Sequence, residues 1–402
     1  MVEPGAGATG EKRQSTRFMV LYALAVAGGA IAYVPLLTIL LPVMVEAVAG
    51  DASVTWLAVI AFAGAVASSL ANIAFGWLSD RTGHRRGWIF AGLSGSSLLL
   101  IAIGQVVANL PLLVVTLVAW QVFLNMMLGP LAAWGGDLVP DHQKGTLGGL
   151  LALAPALGAL SGTLVTFPGL ADGEVRLWLV AALVLACVLP VLVLGRPVPF
   201  PELREPGERS AESSPGRNQR IVARMWLARL LVQVAEAALF AYLYLWLRSI
   251  SPGFRDSAAA QVFGIVLLAS VPVTLTVGRW ADRSGQAILP LGLAAGICAA
   301  ALLGMALAPS LTLALAGYAL FGLSAAVFLA LHSAQTLRVL PRPQTRGRDL
   351  GLFNLTNTVP NLIMPGLTLA MVPVFGFPGL FVMLASLAAL ACVLLIFVPT
   401  AK

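Results

Sequence analysis

Charge is scarce in this sequence. Only 10% of its 402 residues are Asp, Glu, Lys or Arg, while 59% are hydrophobic, whereas soluble domains carry about 25% charged residues. This shortage excludes an ordinary water-soluble protein. A chain in lipid must satisfy its backbone groups internally, and the long apolar runs lack a period of two, so helices are favoured over a barrel. We therefore predict an all-α membrane protein.

Residues for chemistry are scarce as well. The three cysteines, Cys187, Cys298 and Cys392, lie in apolar runs without a second Cys or His at ligand spacing, so they indicate neither a disulfide nor a metal site. The sequence has no nucleotide-binding loop and no Ser/His, His-x-x-His or paired-acid constellation. We expect no cofactor, no metal, no ATP drive and no enzymatic activity. The net charge of +7 resides in short loops, and no nucleic-acid partner is expected.

Twelve apolar runs are long enough to cross a bilayer, at about 20 residues per crossing. The first 17 residues are polar, and the run that follows is too long for a signal-peptide core, so it is expected to remain as the first helix. The predicted helices cover residues 18–48, 54–78, 87–108, 111–134, 146–168, 175–195, 224–248, 258–280, 287–308, 311–338, 347–372 and 377–398.

The basic residues are segregated between the two sides of this arrangement. Twenty-one of the 24 Lys and Arg residues fall on one side, and only Arg176, Arg248 and Arg255 fall on the other. Cytoplasmic loops carry the excess of Lys and Arg in membrane proteins. We therefore expect a multi-pass protein of the cytoplasmic (inner) membrane with both termini in the cytoplasm and the lipid bilayer as its surroundings.

The chain contains an internal repeat. GWLSDRTG at 76–83 and GRWADRSG at 278–285 are offset by 202 residues, and Gly145 and Gly347 keep the same offset. Six crossings return the chain to the same side, so the chain is a duplicated six-helix unit whose two copies have the same orientation in the membrane. The predicted organisation is a cytoplasmic tail (1–17), an N-terminal bundle (18–195), a flexible cytoplasmic linker (196–223) rich in Pro, Glu, Arg and Ser, a C-terminal bundle (224–398) and a short tail (399–402).

The repeated loop demands a sharp reversal, which glycine permits, and its Asp can cap the N-terminus of a neighbouring helix. The loop resembles the signature between helices 2 and 3 of the major facilitator superfamily. This resemblance implies a transporter of twelve helices in two pseudo-symmetric bundles, in which the loop residues latch the cytoplasmic side. These residues are Gly76, Asp80, Arg81, Gly83, Arg85 and Arg86, and in the second copy Gly278, Asp282, Arg283 and Gly285.

The family resemblance also implies partners for the two loop aspartates. Asp80 would dock on the start of helix 11, near residues 349–352, and Asp282 on the start of helix 5, near residues 145–148. Helix 4 lacks the Arg that many members of the superfamily carry.

A narrower resemblance concerns helices 7 and 11. RDLGLFNLTNTVP at 348–360 and RLLVQ at 229–233, followed by YLY at 242–244, are similar to those of the sucrose-transporter and glycoside-pentoside-hexuronide symporter-like branch. This resemblance implies a sugar or glycoside-like substrate. Helix 2 lacks the acids of cation-coupled melibiose-type members, which removes the basis for a sodium site.

Polar residues at mid-membrane depth are the candidate site, because the substrate of duplicated transporters binds between the halves. Glu236 is the acid at this depth, and Arg229, Gln233 and Glu236 share one stripe of helix 7. Glu236 either couples protons, binds substrate or is a protonated packing residue.

Further candidates fall on other helices. Asn354, Asn357 and Asn361 share one face of helix 11 and serve either substrate contact or interhelical hydrogen bonding. Gln121 and Asn125 on helix 4 and Tyr33 on helix 1 are candidates to line the cavity. His332 on helix 10 is either an interhelical donor or a proton carrier.

We predict a secondary transporter that moves a small organic solute by alternating access and is coupled to H⁺. A proton-linked exporter of hydrophobic or drug-like compounds and a non-transporting membrane sensor or scaffold are the alternatives. A large soluble domain, typical of sensors, is absent from the sequence. A monomer is the expected state.

Overall fold

The computed structural model describes residues 12–167, 169–171, 173–203, 215–254, 256–284, 288–340 and 343–396. Within these ranges the chain forms twelve helical spans. The N-terminal half contains α1 (Thr16–Pro35, continued by a π-helical turn Leu36–Leu40 and by Leu41–Ala49), α2 (Ser53–Thr82), α3 (Arg85–Val106), α4 (Leu110–Leu138), α5 (Lys144–Leu151 and Leu153–Val165) and α6 (Val175–Val193).

The C-terminal half repeats this plan. It contains α7 (Pro215–Ile250), α8 (Asp256–Ser284), α9 (Leu289–Ala306) and α10 (Leu311–Val339), followed by the continuous stretch Arg346–Ile396. Gly376, with φ 66°, breaks this stretch into α11 (346–375) and α12 (377–396). Ten helices of the described chain are long and apolar enough to span a membrane, and α7 and α11 complete the twelve. The predicted all-α, twelve-helix, two-bundle fold is confirmed.

Local sequence signals fix several helix ends. The side chains of Ser15, Asn109 and Ser310 accept a hydrogen bond from the backbone N–H three residues ahead, at the starts of α1, α4 and α10. At the end of α2, Gly83 adopts the left-handed conformation with φ 66°, which its missing Cβ permits. The polar segment after α6 ends earlier than expected, because α7 begins at Pro215 instead of near residue 224.

Each half packs around its own apolar core. The core of the N-terminal half surrounds Trp120, whose side chain is fully buried. In the C-terminal half, the rings of Trp246 and Phe381 meet edge to face with centroids 4.7 Å apart. Large apolar side chains on the outer surface, such as Leu98 and Leu307, are 68% and 78% exposed, as expected for groups that face lipid tails.

The two halves meet most closely at one end of the bundle. We call this the basic end, because Arg and Lys residues lie in or next to its loops α2–α3, α4–α5, α8–α9 and α10–α11. Here α2 packs on α11, and α8 packs on α5. The backbones of Gly76 and Gly347 touch, as do those of Gly278 and Gly145, and a Cβ on any of the four would overlap the opposite backbone or side chain. The two contacts are related by the repeat of 202 residues.

Candidate functional site

A group of hydrogen-bonded polar side chains joins α7, α10 and α11. We call it the amide cluster, and its members are Arg229, Gln233, Ser333, Asn354 and Asn357. Gln233 Nε2 donates to Asn357 Oδ1 at 2.5 Å, and Arg229 Nη2 donates to the same oxygen at 3.4 Å. Arg229 Nη1 donates to Ser333 Oγ at 2.8 Å, and Asn357 Nδ2 donates to Asn354 Oδ1 at 2.8 Å. Asn357 is therefore the residue on which the cluster converges.

Glu236 lies one helical turn beyond Gln233 on the same stripe of α7. The charges of Arg229 and Glu236 are near enough to interact, but the two side chains form no direct ion pair in the described structure. Glu236 also interacts electrostatically with Tyr33 of α1, in the opposite half, and with Tyr318 of α10. Glu236 is thus within electrostatic range of one residue of the N-terminal half, Tyr33.

Tyr33 and Asn361 are the accessible members of the predicted set. Tyr33 is 40% exposed and precedes the π-helical turn of α1, a feature often found at functional sites. Asn361 is exposed and donates only to the backbone carbonyl of Asn357, at 3.2 Å, within its own helix. Asn361 therefore leaves its carboxamide oxygen available to a ligand.

A second chain of carboxamides lies in the N-terminal half. Asn72 Nδ2 of α2 donates to Asn125 Oδ1 of α4 at 2.9 Å, and Asn125 Nδ2 donates to the backbone oxygen of Gln121 at 2.9 Å. Ser69, one turn from Asn72, shares a 3.0 Å hydrogen bond with Thr358 of α11. This bond links the two halves. The N-terminal carboxamides and the amide cluster therefore lie on opposite sides of the same interface.

His332 is fully buried and held on both ring nitrogens. Its Nε2 lies 2.8 Å from the backbone oxygen of Met225 in α7, and its Nδ1 lies 3.2 Å from Thr336 Oγ1. Phe328 and Phe353 pack against the ring. Both ring nitrogens are thus engaged, one by α7 and one within α10.

The basic end contains a buried charge network, which we call the basic-end network: Asp80, Arg85, Asp137 and Arg346. Arg85 binds Asp80 at 2.6 Å and Asp137 at 3.1 Å. Arg346, at the start of α11, binds the other oxygen of Asp137 at 2.6 Å. All four side chains are at most 7% exposed. Three members belong to the N-terminal half and one to the C-terminal half, so the network crosses between them.

The loop aspartates also cap helices of the opposite half. Asp80 accepts hydrogen bonds from the backbone N–H groups of Gly347 and Arg348, at 2.9 and 3.0 Å. These lie just before the expected residues 349–352. Asp282 accepts from the N–H groups of Gly145 and Thr146, at 2.8 and 2.6 Å. Carboxylates are favoured at such helix N-termini, where free N–H groups and the helix dipole coincide.

Two other predicted loop residues, Arg81 and Arg86, contact residues of their own half. Arg81 stacks on Trp77, with 4.9 Å between its guanidinium carbon and the ring centroid. Arg86 donates to the backbone oxygen of Leu192 in α6. Arg283 is exposed. Gly285 lies outside the described residues.

Sequence reasoning missed several residues that the structure joins to the site. Asp137 and Arg346 resemble ordinary loop charges in the sequence, and only their burial against each other marks them. Asn72 carries a signal that could have been found, because it is an amide within the apolar run of the second helix, and a buried amide in lipid requires a partner.

Solved structures of transporters share this fold. The human organic anion transporter MFSD10 (TETRAN) has a TM-score of 0.77 at 16% identity, over 94% of this chain and 99% of that one. The proton:xylose symporter XylE, bound to 6-bromo-6-deoxy-D-glucose, has a TM-score of 0.74 at 13% identity, over 96% of both chains. The E. coli fucose:proton symporter FucP has a TM-score of 0.74 at 16% identity, over 96% of this chain and 99% of that one.

At these identities the similarity establishes the fold and not the substrate. No curated protein sequence matches the chain significantly. The sequence does match the Major Facilitator Superfamily over residues 18–323 and 225–402, which together span the twelve helices. With its duplicated six-helix bundles and its paired loop aspartates, the chain belongs to the major facilitator superfamily of secondary transporters.

Proposed function

We propose that this protein moves a small polar solute, sugar- or glycoside-like, across the cytoplasmic membrane by alternating access, with H⁺ as the coupling ion. The observation that carries the proposal is the convergence of Gln233, Arg229 and Asn354 on Asn357, opposite Gln121 and Asn125 of the other half. Carboxamides both donate and accept hydrogen bonds, which suits the hydroxyl groups of a sugar.

The orientation follows from charge. We take the basic end as the cytoplasmic end, because cytoplasmic loops carry the excess of Lys and Arg. We infer from this that both termini lie in the cytoplasm and that the two bundles are joined by a cytoplasmic linker. The halves are closed together at this end, whereas Tyr33 and Asn361 are accessible. The conformation is accordingly outward-facing, and the loop residues around Asp80 and Asp282 act as its latch.

We also infer membership of the sucrose-transporter and glycoside-pentoside-hexuronide symporter-like branch. The two segments that carry this resemblance, in α7 and α11, contact each other through Gln233 and Asn357. Both segments of the shared sequence pattern therefore supply side chains to the amide cluster.

Proton coupling is assigned to Glu236. An ionised carboxylate at mid-membrane depth costs several kcal/mol unless it is paired, and Glu236 lacks a direct ion pair in the described structure. Its protonation state therefore depends on what occupies the space between it, Arg229 and Tyr33. A solute that binds there couples its own binding to that of a proton.

The substrate class is tested by thermal unfolding of the purified protein with a panel of monosaccharides, disaccharides, glycosides and lipophilic cations. A ligand that binds the folded state raises Tm in a concentration-dependent way. Stabilisation by a sugar or glycoside supports the proposal. Stabilisation by lipophilic cations alone supports a drug exporter, and no response from either group together with no uptake supports a sensor or scaffold.

Coupling is tested in proteoliposomes with the stabilising sugar and the Glu236→Gln variant. An imposed pH gradient should drive uptake by the wild-type protein and not by the variant. Exchange of labelled for unlabelled sugar should persist in the variant, because exchange needs no net proton movement. Uptake by Glu236→Gln that remains driven by the pH gradient contradicts the assignment of Glu236.

A further inference from the structure

The segment that follows α6 is bound to the N-terminal segment by a two-way hydrogen bond. We call residues 198–203 the strap. Gln14 Oε1 accepts from Val198 N at 3.0 Å, and Gln14 Nε2 donates to Val198 O at 3.1 Å. The same Nε2 donates to the backbone oxygen of Leu138, at the end of α4, at 2.8 Å. Gln14 is only 2% exposed, and its carboxamide bonds three backbone groups of the strap and α4, of which the oxygen of Leu138 is buried.

A second glutamine fixes Gln14 in place. Gln143, in the loop between α4 and α5, accepts from Gln14 N at 2.7 Å and donates to Gln14 O at 3.2 Å. Phe200 of the strap is 4% exposed, and the turn Pro201–Leu203 packs near α4. The strap is therefore anchored to the N-terminal half along its length.

The far end of the strap meets the C-terminal half. The backbone oxygen of Leu203 accepts from Arg346 Nη2 at 3.2 Å, while Arg346 Nη1 binds Asp137 at 2.6 Å. Gly136 packs against this side chain, and a Cβ at this position would lie 2.7 Å from Arg346 Cδ. Asp137, Leu203 and Gly136 thus form a socket around the only side chain of the basic-end network that comes from the C-terminal half.

We propose that the strap is a conformational lock. It holds the carbonyl of Leu203 in position to bind Arg346, and so stabilises the state in which the basic end is closed. When the halves separate at this end, Arg346 must leave Asp137 and the strap together. Because Gln14 and Gln143 pre-organise the strap on the N-terminal half, less entropy is lost when Arg346 enters the socket. The N-terminal segment thereby sets the balance between closed and open states.

The lock acts through Gln14 and the strap, and it reaches the loop motif through Asp137, which also binds Arg85. It needs no substrate, because its contacts form in the unliganded protein. If the strap proves not to be a lock, the proposed transport function still stands. If the substrate is assigned wrongly, the lock still stands.

The test measures the distance between spin labels at the basic end. Gly87→Cys in α3 and Arg279→Cys in α8 place one label on each half, at exposed positions, in a full-length protein whose three native cysteines are changed to Ala. In Gln14→Ala the long-distance, open population should rise about tenfold over the parent, as expected for the loss of its three side-chain hydrogen bonds to the strap and α4. Gln143→Ala should shift it in the same direction by less.

Two comparisons make the test specific. Arg13→Ala removes a charge from the adjacent exposed position and should leave the distribution unchanged. In an Arg346→Lys background, which removes the second donor from the socket, Gln14→Ala should add less than about a twofold change. An unchanged distribution in both Gln14→Ala and Gln143→Ala, or full additivity with Arg346→Lys, overturns the proposal.

Discussion

Asp137 and Arg346 lie 209 residues apart in the sequence and form a 2.6 Å ion pair between the two halves of the fold. The second oxygen of Asp137 binds Arg85, at 3.1 Å. One buried carboxylate is thus shared by an arginine from each half. The closed basic end depends on this carboxylate. Without it, the buried charge of Arg346 would be unpaired, and it could reach water only if the two halves separated.

Asp137→Asn is therefore expected to open the basic end. Removing one partner from a buried ion pair costs about 3–5 kcal/mol when the other charge stays buried. Opening relieves this cost, so the spin-label pair at positions 87 and 279 should report mainly the long distance. Asp51→Asn is the control, since Asp51 is exposed in the turn before α2 and exposed charges contribute about 0–1 kcal/mol. Equal distributions in the two variants would contradict the role of Asp137.

Gly76→Ala should also disfavour the closed state, for a steric reason. The added Cβ would overlap the backbone of Gly347, which belongs to the other half. Overpacking of this kind costs about 1–3 kcal/mol, and the backbone of α11 has no flexible side chain there to give way. Spin-label distances should lengthen while the helical content measured by circular dichroism stays constant.

Gly292→Ala controls for the intrinsic effect of alanine in a helix. The Cβ built on Gly292 in α9 meets nothing within 4 Å. This substitution should leave the distances unchanged. If both variants behave alike, the contact between Gly76 and Gly347 does not limit closure.

The architecture was accessible from the sequence because lipid leaves few choices. Long apolar runs must be helices, and the repeat at Gly76 and Gly278 fixed the symmetry. Apolar runs predict where helices lie, but not where a helix is extended or interrupted. α7 begins at Pro215 because polar residues continue the helix beyond the membrane. α5 is interrupted at Ala152, and α11 and α12 are separated only by the non-helical residue Gly376.

From the sequence, the residues of the candidate site could be predicted only separately for each helix. Helical spacing placed Arg229 and Gln233 on one stripe, and Asn354 and Asn357 on another, but no spacing rule says which stripes face each other. That pairing is set by how α7 packs on α11. The pairing of Asp137 with Arg346 was hidden for the same reason, and both look like loop charges until the fold buries them.

Asn357→Leu should weaken binding of the sugar that most stabilises the protein. The substitution keeps a similar volume but removes the oxygen that accepts from Gln233 and Arg229. Two donors are left without this partner, and each unsatisfied group costs about 1–3 kcal/mol. The ligand concentration needed for half-maximal thermal stabilisation should rise by about tenfold or more. Ser386→Ala, on an exposed face of α12, should not change it, and equal affinity in Asn357→Leu would remove the amide cluster from the site.

His332→Asn separates stability from proton coupling. Its ring nitrogens are already engaged by Met225 O and Thr336 Oγ1, so we expect His332 to pack α10 against α7 and not to carry protons. The variant should lose about 1–3 kcal/mol of stability, because the carbonyl of Met225 loses its donor, and Tm should fall. The pH dependence of uptake should nevertheless coincide with that of the wild-type protein. Glu236→Gln should show the reverse, with Tm little changed and the dependence on the pH gradient abolished. A shifted pH profile in a well-folded His332→Asn protein would return the histidine to the proton pathway.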